Sequence, residues 1–209
     1  MAYYRLVPKL LLATAIFWLP AILFVALANE VMERESPTRD INFLLWLHQF
    51  ASSSLDKAMV FITTLGDAVV VVPAVLVASG VLAWRHHWRQ ALFLVFTAGS
   101  TAGINQIFKH IFRRERPELW QWIIQEHGYS FPSGHAMMSA ALALSVILLC
   151  WHTRLRWPAL VVATSYAVAI GFSRLYLGVH YPTDILGGWL VSILWVYTVH
   201  RVFVLYGRR

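Results

Sequence analysis

Six apolar runs, each near the length of a membrane crossing, constrain this chain more than any other feature. About 20 helical residues cover roughly 30 Å of hydrocarbon. Runs of this kind fall at about 10–28, 58–84, 88–112, 135–151, 157–175 and 185–205. The second is long and rich in Val, and the third is amphipathic through Asn105, Gln106 and Lys109. Of the 209 residues, 59% are hydrophobic and 13% charged, and the mean hydropathy is +0.61. A 23.8 kDa chain cannot bury that much apolar surface in a soluble fold, and the composition excludes disorder as well. The expectation is an all-α integral membrane protein with six transmembrane helices, forming one domain over residues 1–209. No small-x-small site closes the first run, so it reads as a span rather than a cleaved signal. Cys150 is the single cysteine, which excludes an intrachain disulfide framework and a multi-Cys metal site.

Charge sets the expected orientation. A net charge of +7 would suggest nucleic acid in a soluble protein; in a membrane chain it reports sidedness, and no nucleic-acid partner is expected. Arg5, Lys9, Arg85, Arg89, Arg154, Arg156, Arg201, Arg208 and Arg209 fall in four segments that alternation puts on one side, with no Asp or Glu among them. That side carries +9 and the other −2. The positive-inside rule makes the first side cytoplasmic, with both termini inside. Three outer segments follow, at about 29–57, 113–134 and 176–184. Glu30, Glu33, Glu35 and Asp40 lie in the first. There Asp40 is expected to cap a short interfacial helix carrying Ile41, Phe43, Leu44, Trp46, Leu47 and Phe50.

The polar residues gather in three clusters at the outer ends of spans three to six. The first is Lys109 to Pro117, in the pattern K-x6-R-P. Lys109 and Arg116 lie two helical turns apart, so one helix face would hold both around an anion, with about 10.5 Å of rise between them. Pro117 is expected to end that helix near Arg116. The alternative is a pair of cations snorkelling at a span end. The second cluster is Pro132-Ser133-Gly134-His135. Ser133 suits an N-cap, Gly134 permits close approach of a ligand, and a helix N-terminus attracts anions. Ordinary capping beside an interfacial histidine accounts for the same residues. The third is Ser173-Arg174 with His180 and Asp184. Pro182 suits the first turn of span six, so Asp184 would reach back to Nδ1–H of His180 and leave Nε2 as nucleophile or base. A satisfied polar pair at a helix start is the bland alternative, which the added cation of Arg174 weakens.

Together the clusters offer three cations, a helix N-terminus, an oriented histidine and a second histidine, the parts that phosphoryl transfer through a covalent intermediate requires. The three motifs resemble the signature of the type 2 phosphatidic acid phosphatase family, without departure at a signature position, over spans three to six. The resemblance implies that His180 forms a phosphohistidine, that Asp184 orients it, and that His135 is the general acid and then the base. It also implies that Lys109, Arg116, Ser133, Gly134 and Arg174 hold the phosphoryl oxygens, with no metal or other cofactor. A lipid phosphatase of a bacterial inner membrane, its site facing the periplasm, is then expected. The absence of an N-x-S/T sequon from the outer loops fits a bacterial source. Undecaprenyl diphosphate is the favoured substrate and phosphatidylglycerol phosphate the next. A phosphotransferase acting on lipid A and a non-catalytic lipid binder or transporter are the rivals.

Other polar residues are assigned lesser roles. Asp67, near the outer end of span two, is expected to be structural. Arg113 and Arg114 are expected to meet lipid headgroups, although Arg113, one turn beyond Lys109, would reach a second phosphate if the helix continues. His48, His86, His87, His152 and His200 are expected at the interface or the cytoplasmic side. Trp120, Trp122, Ile123, Ile124, Tyr129 and Phe131 are expected to form an interfacial belt rather than a lid.

Overall fold

The computed structural model describes residues 2–33 and 38–206. Residues 34–37, including Glu35, and the tail residues Arg208 and Arg209 lie outside the described residues. The described chain forms eight helices and no strand: α1 (Ala2–Met32), α2 (Thr38–His48), α3 (Ser53–Thr64), α4 (Ala68–Trp84), α5 (Trp88–Phe112), α6 (Gly134–Cys150), α7 (Arg156–Tyr176) and α8 (Pro182–Tyr206). Helices satisfy their own backbone groups, which hydrocarbon cannot do for them.

Among the described residues, three helices are long and apolar enough to cross a membrane: Trp88–Phe112, Arg156–Tyr176 and Pro182–Phe203. The expected second span is not one helix. It is α3 and α4, bent by 44°. The break has a local cause. Leu65, Gly66 and Asp67 direct their N–H groups to carbonyls three residues back, at 2.9–3.1 Å, tightening the end of α3. The Asp67 carbonyl then accepts the N–H groups of Val70 and Val71 and starts α4. Phe17–Met32 and Gly134–Cys150 are apolar but shorter.

The 17-residue α6 lies among α5, α7 and α8. Its buried side chains are small, Ala136, Ser139, Ala140, Ala141, Ala143 and Ser145, with Met137 the exception. Small side chains let membrane helices approach closely. The same holds where α8 meets the start of α6. A Cβ on Gly188 would stand 3.0 Å from the Ser133 carbonyl oxygen, and one on Gly187 would stand 2.6 Å from the Phe131 ring. Ser192 ties the pair by donating to the Met137 carbonyl at 2.6 Å. Large apolar side chains such as Trp18, Ile22, Val69, Val77, Val161 and Val162 are exposed on the outside, as a lipid-facing surface requires.

The short α2 buries Leu44 and Leu47 and exposes Phe43, Leu45 and Trp46, an interfacial distribution. Asp40, however, sits inside its first turn rather than capping it. Its carboxylate is turned toward the protein. One end of the bundle therefore collects the end of α5, the start of α6, the end of α7 and the start of α8, with α2 and the 113–133 loop beside them.

Candidate active site

The turn between α7 and α8 positions His180. Pro182 opens α8, where its missing N–H costs nothing. Asp184 follows in the first turn, and its Oδ2 accepts the Tyr181 N–H at 2.9 Å. The same oxygen lies 3.2 Å from Nδ1 of His180. On the other side of the ring, Nη1 of Arg116 is 3.0 Å from Nε2. A guanidinium can only donate, so Nε2 presents its lone pair and Nδ1 carries the proton toward Asp184. His180 is 1% exposed and Asp184 0%. Burial, then the charges of Arg116, Arg174 and Lys109, hold the His180 imidazole well below its ordinary value. The imidazole is therefore neutral at neutral pH.

Arg116 reaches this point by a route the spacing did not predict. Helix α5 ends at Phe112, and Arg113 turns the chain in a left-handed conformation with φ 47°. Lys109 and Arg116 thus share no helix face. Arg116 comes from the loop, donating to the carbonyls of Val179 at 2.9 Å and Gly128 at 3.1 Å. Arg174, wholly buried, donates to Thr63 Oγ1 of α3 at 2.8 Å. Its Nε is buried without a hydrogen-bond partner. Half-buried Lys109 interacts electrostatically with Arg116, Arg174 and Asp184.

Ser133 caps α6, its Oγ accepting the Ala136 N–H at 3.4 Å. Its own N–H donates to the Asp184 carbonyl at 3.1 Å, which joins the starts of α6 and α8. Asn105 of α5 fixes the approach to Gly134: its amide donates to the Pro132 carbonyl at 3.0 Å. A Cβ on Gly134 would stand 3.0 Å from Asn105 Oδ1. The next residue, His135, places Nε2 at 2.7 Å from Asp67 Oδ1.

Four residues assigned lesser roles, or none, belong to this site. Arg114 does not face headgroups. Its Nη1 donates to Asp184 Oδ1 at 2.6 Å and Thr183 Oγ1 at 2.7 Å, and its Nη2 reaches Asp40 Oδ2 at 3.3 Å. Its guanidinium also lies over the Tyr181 ring at 4.1 Å. Asp40 accepts from Thr183 at 2.5 Å as well, which is why its carboxylate is unavailable to cap α2. Asp67 pairs with His135. Glu126, in the loop, bridges the two arginines: one oxygen meets Nη2 of Arg174, the other lies 3.2 Å from Nη2 of Arg116. Burial alone would raise the Glu126 carboxyl, but Arg174 and then Arg116 hold it below its ordinary value. An acid in a cation-rich loop was the only sequence signal for it.

Arg113 stands apart. It is exposed, and its Nε donates to the His110 carbonyl at 3.1 Å. The helix on which its reach to a second phosphate depended has already ended. The loop aromatics are not only a belt. Trp120 stacks on His48 at 4.0 Å, and Trp122 packs on Leu47, Tyr176, Leu177 and Val179. With Glu118, Ile124, Gln125, Glu126 and His127 they line an open cavity of about 450 Å³ beside the arginines.

Comparison with known proteins matches residues 90–208 to the family model of the PAP2 superfamily. Phosphatidylglycerophosphatase B of Bacillus subtilis is 31% identical over 154 residues, covering 69% of this chain and 73% of that protein. Undecaprenyl-diphosphatase BcrC of the same organism is 30% identical over 147 residues, covering 68% and 72%. Among solved structures, a transmembrane PAP2-type phosphatidylglycerolphosphate phosphatase from Bacillus subtilis superposes with a TM-score of 0.80 at 26% identity, covering 88% of this chain and 93% of that one.

Proposed function

The chain belongs to the PAP2 superfamily, and from that premise we propose that it is a lipid phosphatase working through a phosphohistidine at the outer surface of a bacterial inner membrane. The observation that carries the reading is the pairing at His180: Asp184 on Nδ1, and on Nε2 a lone pair facing Arg116, the arginine that together with Arg174 holds the Glu126 carboxylate. A phosphoryl group has the charge and oxygen spacing to take that carboxylate's place.

In the first half-reaction Nε2 of His180 attacks phosphorus as the bond to the leaving oxygen breaks. His135 gives that oxygen its proton. Asp184, backed by Arg114, stabilises the charge that His180 acquires. In the second half-reaction water attacks phosphorus, His135 takes the water's proton, and the N–P bond breaks. Lys109, Arg116, Arg174, Ser133 and the Gly134 N–H stabilise the phosphoryl oxygens, so the side chains supply the positive charge that a metal supplies elsewhere.

The names of the similar proteins support undecaprenyl diphosphate and phosphatidylglycerol phosphate as substrates. We take six crossings, in one domain, with α3 and α4 as one bent crossing and α1 and α6 as short ones. The sidedness of Lys and Arg supports cytoplasmic termini and a periplasmic site. Phosphate release from pure undecaprenyl diphosphate, phosphatidylglycerol phosphate and phosphatidate, in detergent containing EDTA, tests the proposal. Turnover without an acceptor lipid is expected. Release only when an acceptor lipid is supplied overturns hydrolysis in favour of a phosphotransferase.

A further inference from the structure

Asp67 occupies the N-cap of α4 with φ −71° and ψ 148°, the backbone of a capping residue, yet its side chain makes no capping bond. An aspartate there ordinarily satisfies the free N–H groups of the helix. This carboxylate instead reaches His135, 68 residues away in sequence, with Oδ1 at 2.7 Å from Nε2. The backbone is shaped to the same contact. The 44° bend between α3 and α4 falls at this point. Gly66 backs onto the imidazole so closely that a Cβ would stand 3.0 Å from His135 Cδ2. Such an approach fixes the ring plane as well as one of its nitrogens.

We infer that Asp67 is a positioning residue for His135, holding Nε2–H so that Nδ1 exchanges the proton with the leaving group and then with water. The inference rests on the phosphohistidine reading above. In the first half-reaction His135 starts as an imidazolium and loses its Nδ1 proton to the leaving oxygen. In the second, Nδ1 recovers a proton from the attacking water, and no proton is gained or lost over the cycle. Arg174 of α7 and Glu126 of the loop are the other charged groups that act on His135. Glu126 must yield its place when phosphate binds. Asp67 is hydrogen-bonded to His135 rather than to the arginines, so its contact does not depend on the place that Glu126 gives up. The arrangement suits leaving groups that need a proton, the alcohols of lipid phosphate monoesters, more than leaving groups that are stable as anions.

The test compares Asp67→Asn with wild type on two esters in one detergent: a short-chain phosphatidate, whose alkoxide must be protonated, and p-nitrophenyl phosphate, whose phenolate need not be. Asparagine keeps the shape and an acceptor oxygen but removes the charge. A kcat loss of about 100-fold is expected on the alkyl ester, with a loss on the aryl ester smaller by about tenfold or more. KM should move equally for both. Adding Asp67→Asn to His135→Ala should cost nothing further on the alkyl ester, since the two act as a unit. Equal losses on both esters, no loss on either, or a further loss in the double variant overturns the role. Wild-type protein that forms no phosphoenzyme overturns the phosphohistidine reading, and the role of Asp67 with it.

Discussion

Replacing Glu126 by glutamine separates the resting site from the loaded one. In the resting protein its carboxylate bridges Arg174 and Arg116, the latter at 3.2 Å. An incoming phosphoryl group must displace both contacts. Each charge-assisted hydrogen bond contributes about 1.5–3 kcal/mol. With a side chain 19% exposed, the displaced carboxylate regains water and recovers roughly half of the total. The remainder, about 1.5–3 kcal/mol, corresponds to roughly ten- to hundredfold in affinity for an anion. Glu126→Gln should therefore lower the inhibition constant of orthovanadate by that factor. The ligand-free variant should also melt earlier, because two buried guanidiniums lose their counter-charge, and phosphate should restore its Tm by more than it raises that of wild type. The pH dependence has a definite sign. The carboxyl lies below its ordinary value in the folded protein, so its stabilisation is complete above the unfolded value and disappears as pH falls through the folded one. Wild type and variant should converge in stability in acid, not in alkali. Vanadate inhibition that is unchanged or weaker, in a variant that melts cooperatively, refutes the reasoning.

His180→Ala should abolish turnover and trapping of labelled phosphate on the protein. Asp184→Asn should reduce turnover by about 10²–10⁴-fold with the fold intact, in the range for losing the orienting partner of a catalytic histidine. Purified His180→Ala with near-normal activity would remove the covalent mechanism. Arg114→Gln leaves Asp40 and Asp184 buried without their shared cation and should destabilise the protein by about 3–5 kcal/mol. Adding Asp40→Asn should recover part of that loss, as chemical denaturation would show. Glu118→Cys and Arg154→Cys, each in a Cys150→Ser background, should label from outside and inside respectively; the reverse pattern overturns the orientation.

The motifs were legible in the sequence because each is local, or becomes so once the spans alternate. His180 and Asp184 sit four residues apart around a proline, so one helix turn determines their contact. Ser133 announces the start of α6 by residue type alone. Arg114, Asp67 and Glu126 were not legible in this way. Each owes its place to a partner 48 to 74 residues distant, and nothing in their own neighbourhoods names that partner. Asp40 misled for a related reason: its position suits a cap, and only the tertiary fold brings Arg114 and Thr183 close enough to claim the carboxylate. The left-handed turn at Arg113 was likewise invisible, because helix-forming residues continue past it until Pro117.

The close seat of α8 on the start of α6 makes sequence drift uneven along one helix. Most positions of a lipid-facing helix exchange freely among Leu, Ile, Val and Phe, because the bilayer asks only for apolar bulk. Leu186, 46% exposed, is such a position. Its neighbours Gly187 and Gly188 are not, since even a methyl group would collide with Phe131 or with the backbone of Ser133 and Met137. The outer surface of α8 can therefore be rewritten to suit bilayers of different thickness, while a two-residue notch in the same helix leaves no room for an added side chain.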